Sequence, residues 1–353
     1  MRSSRQHLAR RPFTDFGPCA PVALDARAGL PIPAPDLNSA ARSFGRCPSF
    51  ARLCAGLVAA AFGLCAFIMS AAPAAAGKAR DYLNAPVNTW VTFYNLGYSN
   101  SVAPATGGAE FGIADVTTDV TSQSLILSRI LDVRGRTGGL SLVLPYADID
   151  VAAGPVEAGA RGIGDIGLVA EVNLFGAPAL SREDFAQWVP ETFASFHLLA
   201  TLPTGRYDAA DPVNVGANRW SVAPTINYSF TPDAGWTWLE AYATARIFGD
   251  NTDAPGAADV LEQRPLYQFE LHASRNLTPD LWLSVDAYHD RGGETVLDGV
   301  KQKNAADIWR LGAGLGLAVP YVGTVFLNYD ATVWAPGGQP ESQTFRLTIA
   351  RMW

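Results

Sequence analysis

From Asn88 to Trp353 the chain alternates apolar and polar side chains with a period of two, in twelve segments of about ten residues each. The segments are Asn88–Asn95, Gln123–Leu131, Gly139–Tyr146, Asp165–Phe175, Thr192–Leu202, Arg219–Phe230, Trp236–Phe248, Pro265–Arg275, Leu281–His289, Ile308–Val319, Thr324–Trp334 and Gln343–Trp353. A period of two puts alternate residues on opposite faces of a strand. In the seventh segment Leu239, Ala241, Ala243, Ala245 and Ile247 oppose Glu240, Tyr242, Thr244 and Arg246. In the last, Phe345, Leu347 and Ile349 oppose Arg346 and Thr348, and the chain stops on Trp353. A soluble sandwich would alternate in the same way, so the pattern alone predicts only an all-β fold.

The spacing of the segments separates the two architectures. Links after the second, sixth, eighth and tenth are short, whereas Leu96–Ser122, Ala147–Gly164, Pro203–Asn218, Gly249–Arg264, Asp290–Asp307 and Ala335–Ser342 are longer. Short turns at one end and long loops at the other predict a transmembrane antiparallel β-barrel of about twelve strands. Gly176–Glu191 is the exception, a long link on the short side, and its SREDFAQWVPE predicts a helical turn at the rim. Trp90, Trp220, Tyr228, Phe230, Trp236, Phe248, Trp309, Tyr321, Trp334 and Trp353 fall near strand ends, where interfacial belts place aromatic rings.

The N-terminal region changes the picture. Arg42, Arg46 and Arg52 precede the apolar run Leu53–Met69, and Ala74-Ala75-Ala76 follows. That predicts a secretory signal peptide over residues 42–76, with the barrel spanning 77–353. Residues 1–41 lack periodicity and are read as a disordered or wrongly initiated extension. All four cysteines lie within the first 65 residues, so no disulfide or thiolate site is expected in the barrel. The whole chain carries a net charge of −7; removing residues 1–76 takes away eight arginines and three aspartates, leaving 18 basic and 30 acidic side chains, net −12. Nucleic acid is therefore not an expected partner.

If the apolar face meets lipid, the other face lines a lumen. It carries Glu171, His197, Arg219, Glu240, Arg246, Glu270, His272, Asp286, Arg310, Asp330 and Arg346, because charge facing lipid at mid-depth costs roughly 2–4 kcal/mol per Arg or Lys. Phe193, Trp238, Tyr242, Trp282, Tyr288 and Phe326 share that side, and Gly312, Gly314 and Gly316 leave one strand bare for a plug, a loop or a solute. Ser195 and His197 fall on one face of one strand, yet no G-x-S-x-G elbow and no orienting third group accompany them, so a hydrolase stands third. No ligand spacing singles out a metal, no cofactor is expected, and the chain is read as non-enzymatic.

Gly162-x-Gly164-Asp165 opening the fourth segment, Leu202-Pro203-Thr204-Gly205 closing the fifth, and Gly216-Ala217-Asn218-Arg219-Trp220 in and before the sixth supply turn chemistry. In these motifs, and across roughly Asn88–Trp353, the chain resembles the outer-membrane proteins of the phenol-degradation meta-pathway (MetA) family. The resemblance implies a barrel in the bacterial outer membrane that passes small hydrophobic or aromatic solutes. Lipid and the barrel-assembly machinery are the other expected partners, with Trp353 as the assembly signal. Arg351 departs from the usual apolar residue of a closing strand, and its position allows it to reach the headgroups. A structural or adhesive barrel that carries nothing is the alternative.

Overall fold

The computed structural model describes residues 77–104, 115–256 and 258–353. The leader read from residues 1–76 lies outside them. The first strands are β1 (Trp90–Pro104), β2 (Asp115–Val133), β3 (Arg136–Ala153), β4 (Val156–Ile163) and β5 (Gly167–Phe175). Helix α1 (Arg182–Gln187) follows, then β6 (Phe193–Thr201), β7 (Ser221–Phe230), β8 (Thr237–Phe248), β9 (Leu261–Gln263), β10 (Leu266–Asn276) and β11 (Leu281–Gly292). The chain ends through β12 (Thr295–Leu297), β13 (Val300–Lys301), β14 (Ala306–Val319), β15 (Gly323–Trp334) and β16 (Glu341–Met352).

β4 and β5 are two parts of one strand: both pair with β3, β4 against Tyr146–Ala153 and β5 against Gly138–Val143. Counted so, twelve antiparallel strands run in sequence order, and β16 pairs with β1 from Val91↔Met352 to Val102↔Glu341. Closure leaves no sheet edge in lipid, where an unpaired backbone group would cost several kcal/mol (about 4–8 on transfer to hydrocarbon).

Outward residues are apolar and exposed along the middle of the barrel, for example Leu239, Phe269, Leu271, Val285, Leu311, Leu327 and Phe345. Their inward neighbours Glu240, His272, Asp286 and Asp330 are buried. Exposed rings collect toward both ends, with Trp90, Phe230, Trp236 and Trp353 at one and Tyr146, Trp220, Trp309 and Trp334 at the other. Arg351 lies over the ring of Trp353, 4.2 Å from its centroid, at the end where short turns connect the strands.

The first three strands correct the expected loop lengths. Much of Leu96–Ser122 and Ala147–Gly164 is strand: β1 runs on to Pro104, β2 starts at Asp115, and β3 and β4 meet across Gly154. Residues 105–114 lie outside the described residues. Along β2 and β3 the outward face is Leu125, Leu127, Leu140, Leu142 and Leu144 near the short-turn end, then Thr117, Asp119, Thr121, Asp148 and Asp150 beyond it. The inward face inverts in step. Ala103, Val116, Ala147, Ile149 and Val151 form an apolar cluster with Val213 of the β6–β7 link. The same sheet therefore has a membrane polarity below Gln123↔Tyr146 and a soluble-protein polarity above it, as water replaces lipid outside.

The short links hold. β2 and β3 turn through Arg134 and Gly135, both at positive φ, as a two-residue hairpin requires. The long exception, Gly176–Glu191, contains α1, whose N-cap Ser181 accepts a hydrogen bond from the Asp184 amide. At the opposite end β9, β12 and β13 form a small separate sheet within the long links, which the period-two pattern misses because each strand has at most three residues.

Candidate functional site: the barrel interior and the segment within it

Residues Gly77–Asn88 precede β1 and occupy one side of the barrel interior. The tie begins at the rim, where the Asn84 side chain donates to Pro178 O (3.1 Å) and Val87 N–H to Leu180 O (2.9 Å). Leu83 packs on Ala177, Phe193 and Trp238, so the long β5–β6 link serves as the anchor of this segment. Further in, Arg80 takes a left-handed conformation (φ 68°), a cost of roughly 1–2 kcal/mol for an L-residue. It is held there because its amide donates to Glu240 Oε2 (2.8 Å), its Nε to Ser274 Oγ (2.8 Å) and its Nη1 to Asn276 Oδ1 (2.6 Å). The guanidinium lies over Trp282 (4.7 Å), and Lys78, paired with Asp81, lies over Phe326 (5.1 Å).

Tyr82 continues the contact, its ring 3.9 Å from His197 and 4.8 Å from Tyr242. Tyr242 packs on His272 and His272 on Tyr288, so a file of rings runs along the inner wall from β6 to β11. The sequence pattern does not reveal this segment, since it has no periodicity. The signal it does carry is a charged stretch, Lys78-Ala79-Arg80-Asp81, between the expected cleavage point and the first strand.

The expected lumen residues fall into three groups. Glu171, His197, Glu240, Glu270, His272 and Asp286 lie on the side taken by the N-terminal segment. His272 Nδ1 is 2.6 Å from Asp286 and its Nε2 3.3 Å from Glu270. A second group joins β11, β14, β15 and β16: Arg310 bridges Asp290 (3.1 Å) and Asp330 (2.8 Å), and Arg346 reaches the other oxygen of Asp330 (2.8 Å). Arg219 and Arg246 are buried nearer the long-loop end, where Arg219 donates to Gln263 and lies over Phe248. The bare glycine strip is filled from beside it: Trp282 lies against Gly316, the side chains of Ser284 and Asn328 against Gly314, and Asp330 against Gly312.

Ser195 and His197 do meet, Oγ to Nε2 at 2.6 Å, and the structure supplies the third group that spacing could not: Glu171, opposite His197 in register, 3.1 Å from Nδ1. Ser195 Oγ also lies against Asn227 Oδ1, which accepts the Ser195 amide (3.1 Å). This chain of bonds joins β5, β6 and β7 across the inner face.

The motif residues act at the long-loop end. Asp165 sits at the step between β4 and β5, where Oδ1 accepts the Gly205 amide and Oδ2 the Ala217 amide, each at 2.8 Å. Thr204 Oγ1 accepts the Ile166 amide (2.9 Å), and Asn218, at φ 52°, donates to Asn251 (2.9 Å). A Cβ on Gly205 would come within 2.7 Å of Gly164 C, and Gly162 takes φ 153° beside Arg206. Leu202 N–H donates to Ile166 O (2.9 Å), Pro203 follows as the chain leaves β6, and Trp220 lies against Gly249.

Around the rest of the lumen the lining mixes hydroxyl and amide groups with the apolar Phe93, Ile126 and Val143. Thr348 donates to Asn95 (2.7 Å), Asn95 to Ser124 (3.0 Å), and Thr344 to Ser99 (3.2 Å); Ser128 and Ser141 meet at 2.7 Å. Asn95, Ser99, Ser122, Ser124, Thr344 and Arg346 stay partly accessible, whereas Ser195, Asn227, Glu240, His272 and Asp286 under the N-terminal segment are buried.

A closed antiparallel barrel with a lipid-facing apolar band, aromatic rims and a polar interior defines an outer-membrane β-barrel, and the bacterial outer membrane is its location. Residues 100–347 match the family described as "Putative MetA-pathway of phenol degradation", and the chain belongs to it. Among solved structures, the COG4313 outer membrane channel from Pseudomonas putida F1 superposes with a TM-score of 0.67 at 19% identity, over 79% of this chain and 100% of that one. The transport unit of the autotransporter AIDA-I from Escherichia coli gives 0.49 at 11%, over 82% and 98%. A FadL homologue from Pseudomonas aeruginosa gives 0.40 at 9%, over 74% and 90%. No curated protein matches the chain.

Proposed function

We propose that this chain is a passive outer-membrane channel for small solutes, narrowed by its own residues 77–88, and that it is not an enzyme. The observation that carries the reading is the asymmetry of the lumen. The β5–β11 side is packed under the N-terminal segment, while the side formed by β16, β1, β2 and β3 keeps partly accessible hydroxyl and amide groups, with Arg346 on one flank (25% exposed) and Glu171 on the other (27%). Small side chains leave space, and their hydroxyls replace solute hydration as the solute moves. The family description and the mixture of rings with hydroxyls support aromatic solutes that carry polar groups, such as phenols.

The test is flux into liposomes containing the chain from residue 77, against empty vesicles, with phenol and with hydroxybenzoate, a ring too polar to cross lipid unaided. Excess flux is expected, rising severalfold when residues 77–88 are deleted. No excess for any solute in either form would overturn the channel and favour the structural or adhesive reading, which the packed half of the lumen supports.

A further inference from the structure

Gly77, the first of the described residues, lies inside the barrel among carboxylates. A Cβ built on Gly77 would lie 3.1 Å from Glu270 Oε2, 3.2 Å from the Tyr242 ring and 3.4 Å from Asp81 Oδ2, so the residue sits in close contact with these groups. The backbone nitrogen is bonded to the same Cα at about 1.5 Å, which puts it within about 6 Å of the Glu270 carboxylate. Tyr288 OH donates to Gly77 O (3.3 Å) and holds the residue in place.

The charges around this point do not balance. Lys78 pairs with Asp81, while Glu240 accepts the Arg80 amide and the Arg80 guanidinium is held on Ser274 and Asn276. Asp286 and Glu270 share the single imidazole of His272, which neutralises at most one of them. Two carboxylates on one imidazole leave one of the pair without a second cationic partner among the described ion pairs, at 6% exposure for Glu270 and 4% for Asp286. A buried charge without a counter-charge is strongly destabilising.

From this geometry we infer that cleavage of the Ala76–Gly77 bond creates the missing cation, and that the new α-ammonium of Gly77 anchors the N-terminal segment in the lumen by pairing with Glu270. A processing peptidase adds water across the peptide bond, leaving a carboxylate on Ala76 and an amine on Gly77 that takes up a proton. The A-x-A pattern Ala74–Ala76 locates the same bond from sequence alone. Maturation and closure are then one event: the segment locks only in a chain that has lost its leader. This is independent of which solute passes.

The experiment is amine acetylation of barrels purified from outer membranes, read by mass spectrometry on the N-terminal peptide, with exposed Lys301 as the internal reference. The mature chain should begin at Gly77, and its α-amine should label roughly tenfold more slowly in the folded barrel than in urea, since only opening exposes it. Glu270→Gln should label at the unfolded rate. If that variant does not assemble, a chain retaining Ala75 and Ala76, refolded in detergent, replaces it; its amine is displaced by about 7 Å and should be unprotected. A different N-terminus, equal labelling of folded and unfolded wild type, or protection that survives in the variant used would overturn the inference.

Discussion

Asp165 shows how much one side chain organises. Both carboxylate oxygens are spent on backbone amides, those of Gly205 and Ala217, across a step where the strand ladder is interrupted. Asp165→Ala leaves two N–H groups unpaired, at about 1–3 kcal/mol each where water cannot replace the bond. The expected result is a β6–β7 link that becomes sensitive to protease while the barrel keeps its heat-modifiable migration, checked by limited proteolysis followed by electrophoresis. The motif residues were legible in the sequence as turn chemistry, because Gly, Pro, Asn and Asp constrain the backbone locally. The partners of Asp165 were not, being 40 and 52 positions away in the chain. The same limit applies to His197, whose face was readable from period two but whose neighbour Glu171 came from a different strand.

Among the elements, β2 and β3 carry the clearest lesson. Period two identified Gln123–Leu131 and Gly139–Tyr146, which is the part where leucines face lipid, and it took the remainder for loop. Strand continues there with inverted faces, since an outward residue above the membrane meets water. Leu142→Arg should therefore destabilise the barrel by roughly 2–4 kcal/mol, while Asp150→Lys, on the same face of the same strand, should change it by less than about 0.5 kcal/mol. Urea unfolding in lipid vesicles measures both, and equal effects would refute the boundary at Tyr146. The rim helix α1 was readable from its SREDFAQWVPE stretch, with Ser181 as cap. Its purpose was not, because the partner of that link, Leu83 to Val87, lies in a segment without pattern.

At the scale of the whole molecule, closure depends on the β16–β1 seam. Trp353 N–H donates to Trp90 O (2.9 Å), and its indole to Thr92 Oγ1 (3.1 Å). Deleting Trp353 removes both bonds and an interfacial ring, and should lower the assembled fraction several-fold more than it lowers flux through barrels that do assemble. Normal heat-modifiable folding of the truncated chain would count against this. Deleting residues 77–88 should do the reverse, leaving assembly intact and raising flux, because the seam does not use them.

Sequence by itself determined the membrane-spanning part of this protein: about twelve strands, their lipid and inner faces, and the short-turn end. Each follows from a local rule, since lipid imposes period two on every spanning strand and forbids an open edge. Tertiary structure alone decided what the interior contains. Residues 77–88 follow no period, and their place beside Glu240, Glu270 and Tyr242 comes from side chains more than 150 positions away in the sequence. Contacts between segments so distant are set by closure of the whole barrel, which brings inner faces together that no local pattern relates.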